Sequence, residues 1–245
     1  MHVHSLTVNR YEWVFPLLVA NGVIGIREMG SNIPYQYTNQ IRREISEGKL
    51  LGPRLEVATA KIFDGSATAL TTNVEVVSTT EQARSLVKDY KQQGIDFVKP
   101  YNFLSREVFL AIVDEAKRQK ITVAGHVPYS MTAAEVSDSG QISIEHNNDI
   151  LISVSLDEVA LRQELKDLPK SLPFTARQPI QAKAAATFDQ GKAAALFERF
   201  ARNGTWFCPT TVGLSEETQN PNDPRLKYIP ARSFLRQLCC AIYWH

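Results

Sequence analysis

Long apolar runs are missing from this chain. No stretch approaches the roughly 18 residues of a membrane-spanning helix, so the membrane is not an expected partner. The first residues, Met1-His2-Val3-His4, lack a basic region followed by an apolar one, and no signal peptide is expected there; localisation stays open. Cysteine is scarce. Cys208, Cys239 and Cys240 are odd in number, and the adjacent pair is poorly placed to bridge itself or to chelate with CxxC spacing, so no structural disulfide is expected. An excess of one charge is also lacking: 27 Lys and Arg stand against 26 Asp and Glu, scattered along the chain, which removes any electrostatic reason to expect nucleic acid or an anionic surface. Arg42-Arg43, the densest basic spot, reads as a solvated helix face. There is no low-complexity segment, and Asn203-Gly204-Thr205 matches a glycosylation sequon of a kind that arises often by chance.

What is present is an alternation of short β-branched runs with longer helical patterns, the grammar of βαβ units and a parallel sheet. The length of 245 residues is close to the about 250 of one (β/α)₈ barrel. A helix over 11–21 ends at Gly22 and is followed by a strand over 23–27. Gly52-Pro53 introduces a strand over 55–60. Thr79 opens a helix with Ala83, Leu86, Val87 and Tyr90 inward, and a strand over 95–99 follows Gly94. Ser105 caps a helix with Val108, Ile112, Val113 and Ala116 inward, leading to a strand over 121–124. Thr132 starts a short helix toward Gly140, then a strand over 141–144. A helical region over 155–202, broken near Pro169, Pro173 and Pro179, leads to a strand over 205–209. Counting the first residues as strand one, this last strand is the seventh.

The chemistry-bearing residues fall at the carboxyl ends of these strands, where barrel active sites are built. His2 and His4 close the first, Lys99 the fourth, His126 the fifth and His146 the sixth. Side chains two apart on a strand share a face, so His2 and His4 can grip one ion. Four of the five histidines are thus placed to converge, His245 being the exception. A single His after a strand is more often a hydrogen-bonded packing residue, and a strand-end Lys can snorkel to the rim. The ordered combination weighs against both. An inward ammonium is costly in a barrel mouth, and burial lowers its pKa and frees the amine for chemistry.

This set resembles the amidohydrolase superfamily, within it the imidazolonepropionase-like and prolidase-like group. The resemblance rests on His2-Val3-His4, on residues 18–30 (LVANGVIGIREMG), on Gly94-Ile95-Asp96-Phe97-Val98-Lys99, on Val123-Ala124-Gly125-His126 and on Ser143-Ile144-Glu145-His146, and it covers residues 1–212. It implies a TIM-like (β/α)₈ barrel hydrolysing amide-type C–N bonds of a small-molecule substrate, a dipeptide or cyclic amide. It implies two divalent ions: His2 and His4 on one, His126 and His146 on the other, and Lys99, carboxylated by CO₂, bridging both. Such ions, about 3.5–4 Å apart, acidify a bridging water and polarise the substrate carbonyl. Imidazole and carboxylate ligands suit Zn²⁺ first, with Mn²⁺, Co²⁺ and Fe²⁺ as alternatives. Tyr101 is a candidate substrate contact, with core packing or rim exposure as the commoner role for such a residue. Arg27 and Glu28 read as a supporting ion pair.

The family carries an Asp after an eighth strand, as metal ligand and general base. No β-run precedes Asp223, which sits in a proline-flanked loop. The expected barrel is therefore incomplete, lacking strand eight and the flanking β-sandwich, with 213–245 as an atypical tail and both termini reading as truncated. An impaired fragment or pseudoenzyme, or a lactone or phosphotriester hydrolase on the same site, are the alternative readings. Oligomeric state is left open, a homo-oligomer included.

Overall fold

The computed structural model describes residues 1–6, 11–31, 33–57, 62–64, 74–170, 172 and 174–210. Strand β1 (His2–Val3) pairs in parallel with β2 (Gly25–Glu28), and β2 with β3 (Arg54–Val57). A short parallel pair, β4 (Ile62–Asp64) and β5 (Val74–Val76), follows. Then β6 (Phe97–Val98), β7 (Thr122–Gly125), β8 (Ser143–Glu145) and β9 (Trp206–Cys208) form a second parallel sheet in that order. The two larger sheets meet between β3 and β6: Asp96 N donates to Val57 O at 3.0 Å, and Val57 N to the Asp96 carboxylate at 2.7 Å. The strand order is therefore β1-β2-β3-β6-β7-β8-β9. The array is strongly curved, because side chains of β1 and β2 at one end reach Glu145 on β8 near the other.

Helices lie between the strands, as parallel connections require. The first three are α1 (Tyr11–Ala20), α2 (Tyr35–Ser46), which packs against β3, and α3 (Thr80–Gln92), which packs against α4 (Arg106–Arg118). Gly22, at φ +79°, lets the chain leave α1 with Val23 N bonded back to Leu18 O, a position that a Cβ would strain. Helix α3 starts in a capping box: Thr79 Oγ1 accepts from Gln82 N, and the Gln82 side chain accepts from Thr79 N, both at 3.2 Å. Its buried stripe is Ala83, Val87 and Tyr90, with Leu86 partly buried against the same core. Helix α4, capped by Ser105, buries Val108, Ile112, Val113 and Ala116. Helix α5 (Ala133–Ser139) carries a second capping box, Thr132 with Glu135.

The C-terminal half of the described chain differs from expectation in detail. In place of one interrupted helical region there are α6 (Asn148–Ser153), α7 (Glu158–Asp167), α8 (Gln178–Ala186) and α9 (Gln190–Asn203). Pro179 lies in the first turn of α8, where a proline forfeits no helical hydrogen bond. The expected interruption near Pro169, Pro173 and Pro179 lies between α7 and α8, and a further one falls at Thr187–Asp189, where Asp189 caps α9 by accepting from Lys192 N at 2.6 Å and Phe188 bridges to Ser155. Helix α2 and the β4–β5 pair had no expectation attached. Asn203, in the sequon, donates its amide to Ser137 Oγ and Asp138. No helix among the described residues is long and apolar enough to cross a membrane. Asp223, Cys239, Cys240 and the region where an eighth strand was not expected lie outside the described residues.

The core lies between sheet and helices, and one close approach within the sheet bears on the site. A Cβ on Gly125 would sit 2.6 Å from Pro100 O, so only glycine lets β7 press against the chain leaving β6. That approach also carries the bond from His126 N to Pro100 O at 3.0 Å. Gly125→Ala is expected to destabilise the fold by about 1–3 kcal/mol, the usual cost of overpacking. Gly25→Ala, on β2 with nothing within 4 Å of the added carbon, should cost less. Urea unfolding of the two variants checks this, and equal midpoints would refute the packing argument.

Candidate metal centre

Each histidine expected at a strand end sits there, and the four meet. His2 lies on β1 and His4 just beyond it, while His126 follows β7 and His146 follows β8. Ring centroids are 5.3 Å apart for His2 and His4, 5.0 Å for His2 and His146, and 4.7 Å for His126 and His146. Lys99, directly after β6, is 1% exposed. Its charge lowers the pKa of all four imidazoles, which places it beside them. Tyr101 packs its ring 4.2 Å from that of His126 and stays partly exposed, at the edge of the cluster.

The hydrogen bonding of the imidazoles is uniform in one respect: all four commit Nδ1 to the protein. The partners are Glu145 Oε2 for His2 at 2.7 Å, Gly30 O for His4 at 3.3 Å, Asn102 Oδ1 for His126 at 2.7 Å and Thr210 Oγ1 for His146 at 2.7 Å. A carbonyl and a carboxylate only accept, so Nδ1 carries the proton in His2 and His4 and the lone pair is on Nε2. Asn102 donates its amide NH₂ to Tyr129 Oη at 3.0 Å, which turns its oxygen toward His126 and fixes the same tautomer there. The Nε2 atoms of His2 and His4 face each other at 3.4 Å. Those of His126 and His146 are buried with no hydrogen-bond partner among the described residues. Buried polar atoms are seldom left unpaired. A lone pair on His126 Nε2, an unpaired Nε2 on His146 and two Nε2 atoms that converge suit nitrogen ligands of a divalent ion, so the residues present fit such a group.

Burial is the main cause of the low histidine pKa values. It holds His4 and His126 well below the ordinary 6.5 and brings His146 to about 3, with the Lys99 charge adding to it. His2 is lowered by burial too, against the opposing pull of Glu145. All four are therefore neutral at pH 7, the form that ligates metal. Burial likewise lowers Lys99 to about 8, while Glu145 and Glu28 pull the other way.

Arg27 and Glu28 do not pair with each other, contrary to expectation, because consecutive strand residues point to opposite faces. Arg27 shares a face with His2, its register partner, and its guanidinium meets Glu145 Oε1 at 2.8 Å. Glu28 points the other way and takes Ser5 N, Ser5 Oγ and Leu6 N on one carboxylate oxygen, at 2.7, 2.8 and 3.0 Å. It thereby anchors the chain just after His4. Burial raises its carboxyl to about 7 despite those three bonds.

Sequence reasoning gave no role to Glu145, Asn102 or Thr210. The first had a signal: Ser143 and Glu145 are two apart on a strand ending in a candidate ligand, so both face inward. The other two are loop residues brought in by tertiary packing. Cys208, a free thiol in register with Glu145, lies with Glu145 and His2 so that their ligand atoms are within 4.8 Å of one another. Both oxygens of that carboxylate are already engaged, one of them by the Arg27 cation, so this trio is a poor cation site. His146 and Thr210 have φ of +70° and +51°, a left-handed conformation that costs about 1–2 kcal/mol outside glycine and concentrates at functional sites.

The chain matches no protein-family model and no curated relative. Among solved structures it is similar to bottromycin amidohydrolase, at 19% identity and a TM-score of 0.53, over 86% of this chain and 58% of that one. It is similar also to a protein of Bifidobacterium longum assigned as a prolidase, at 18% identity and a TM-score of 0.53, over 85% of this chain and 58% of that one. Likeness at such identities defines the fold: mixed α/β with parallel strands, as in amidohydrolase TIM-barrel proteins. The chain thus shares the fold of these two structures and spans about 58% of the length of each.

The low pKa of His146 makes stability depend on pH. In metal-free protein the unfolded chain takes up a proton at this residue near 6.5, the folded one only near 3. Stability should therefore rise with pH across that interval and level off above it. His146→Asn, which tolerates the left-handed backbone and does not titrate, is expected to flatten the slope by up to about 1.4 kcal/mol per pH unit. Urea unfolding in chelator between about pH 4 and pH 7 measures it; identical slopes would mean that His146 is protonated equally in both states.

Proposed function

We propose that this chain is the core of a metal-dependent hydrolase acting on amide-type C–N bonds of a small-molecule substrate, of dipeptide or cyclic-amide class. The observation that carries this is the set of four neutral imidazoles with every Nδ1 held by the protein and every Nε2 on the ligand side, beside a buried lysine. In this reading His2 and His4 hold one divalent ion and His126 and His146 a second. Lys99 would help to hold both as a carbamate, formed when its neutral amine attacks CO₂ and loses a proton. Burial supports that step, because an amine lowered to about 8 has a substantial neutral fraction near pH 7. Zn²⁺ is the first choice of ion, with Mn²⁺, Co²⁺ or Fe²⁺ as alternatives. When bound, the ion pair supplies an acidified water and a Lewis acid for the carbonyl. Tyr101, at the edge of the cluster against His126, is positioned to contact substrate.

A second reading is an impaired relative that binds metal without turnover on an incomplete barrel. It rests on Asp223, the one Asp after Cys208 in the given sequence, which sits between prolines with no β-run before it. The names of the structural neighbours, an amidohydrolase and an assigned prolidase, favour amide bonds over lactones or phosphotriesters.

Metal content by plasma mass spectrometry, on protein purified without chelator and with bicarbonate, is the test. About one to two divalent ions per chain are expected, falling by about half in His126→Ala/His146→Ala, with the bridge weakened in Lys99→Ala. Metal in the wild type without hydrolysis of dipeptides or cyclic amides would favour the second reading. A folded sample with no metal would sink both.

A further inference from the structure

Glu145 is unlike the other partners of the four histidines. Gly30 O, Asn102 Oδ1 and Thr210 Oγ1 are neutral, whereas Glu145 brings a carboxylate, 0% exposed, to Nδ1 of His2. The His2 ring, the Ser143 hydroxyl and the Arg27 guanidinium lie 2.7, 2.6 and 2.8 Å from its two oxygens, an arrangement that suits an ionised carboxylate. Ser143 Oγ donates to Oε1 at 2.6 Å and Arg27 to the same oxygen at 2.8 Å, leaving Oε2 directed at His2. The carboxylate therefore has one orientation, set by its own strand and by β2.

We propose that Glu145 is the positioning residue of the metal centre: it locks His2 as the Nδ1–H tautomer, enriches its Nε2 as a ligand and, through Arg27, ties the ion held by β1 to the strand that presents His146. The inference rests on the metal-hydrolase reading above. A carboxylate behind a ligating imidazole raises its basicity and fixes its ring, and losing such a partner typically costs about 10–100-fold in metal affinity. Among the Nδ1 contacts given above, the one made by a carboxylate is that of His2. The His2–His4 ion should therefore answer to Glu145, while the ion on His126 and His146 should not. Arg27 retains 28% side-chain exposure and can reach water when its partner is removed, so loss of Glu145 does not strand a fully buried cation.

The experiment is Co²⁺ titration against a competing chelator in the metal-stripped full chain, for wild type, Glu145→Gln and Glu145→Ala. The carboxamide of Gln still accepts from Nδ1–H but has no charge. We expect the weaker-bound fraction of Co²⁺ to shift by about 10-fold in the Gln variant and about 100-fold in the Ala variant, with the other ion and the metal-free melting temperature little changed. Two undiminished affinities in both variants would overturn the proposal. So would equal loss of both ions together with the melting transition, since that is a structural role only. If neither variant folds, ¹⁵N spectra of the ring nitrogens in the metal-free wild type decide. A protonated Nδ1 on His2 supports the proposal and a protonated Nε2 overturns it. A wild type that takes up no Co²⁺ refutes the metal-hydrolase reading itself, a different outcome from metal bound normally in all three proteins.

Discussion

The contact on which the site depends is the reach of His2 and Arg27, on the first two strands, to one carboxylate on β8, with separations of 2.7 and 2.8 Å. Strands β1 and β8 are not neighbours in the sheet, so these contacts exist only because the parallel array curls until its far members face each other. Curvature brings polar strand ends together, and polar ends brought together must satisfy one another. Burying a carboxylate, a lysine and four imidazoles would be prohibitive if they were left isolated. Here the carboxylate is paired and hydrogen-bonded, and the imidazoles remain neutral with one nitrogen each tied to the framework.

That arrangement is asymmetric in a way that suits chemistry. Hydrogen-bond satisfaction is complete on the outer side of the cluster, where Nδ1 atoms meet the protein, and incomplete on the inner side, where the Nε2 atoms of His126 and His146 have no partner among the described residues. The cost of two buried orphans and of a left-handed His146 is borne at the site, while the helices around it are capped by ordinary means. Native chains depart from local optimality where function requires it. Two of the residues concerned, His126 and His146, stand at strand ends.

The sequence placed the candidate ligands at strand ends but paired their supporting residues wrongly. His2, His4, Lys99, His126 and His146 were legible because each ends a β-branched run, and the carboxyl ends of parallel strands point to one side of the sheet. The helices at Thr79, Ser105 and Thr132 were legible from their caps. Arg27 was assigned to its neighbour Glu28, although strand alternation separates them. Helix α2, without a side-chain cap after Pro34, left no comparable start signal. Pro179 marked the interruption between α7 and α8 from its far side, in the first turn of the helix that follows.

The sequence by itself determined the alternation of strand and helix, the glycine at 125 that lets two strands press together, and the order in which metal-type ligands emerge. These are local matters of periodicity, capping and backbone freedom. Only the tertiary structure decided that Glu145 belongs to His2 and Arg27, Asn102 to His126 and Thr210 to His146. Each of those pairs joins residues 24 to 143 positions apart, and the histidine tautomers depend on them. Sequence periodicity says which face a side chain takes; which partner waits there is set by how far the sheet curls.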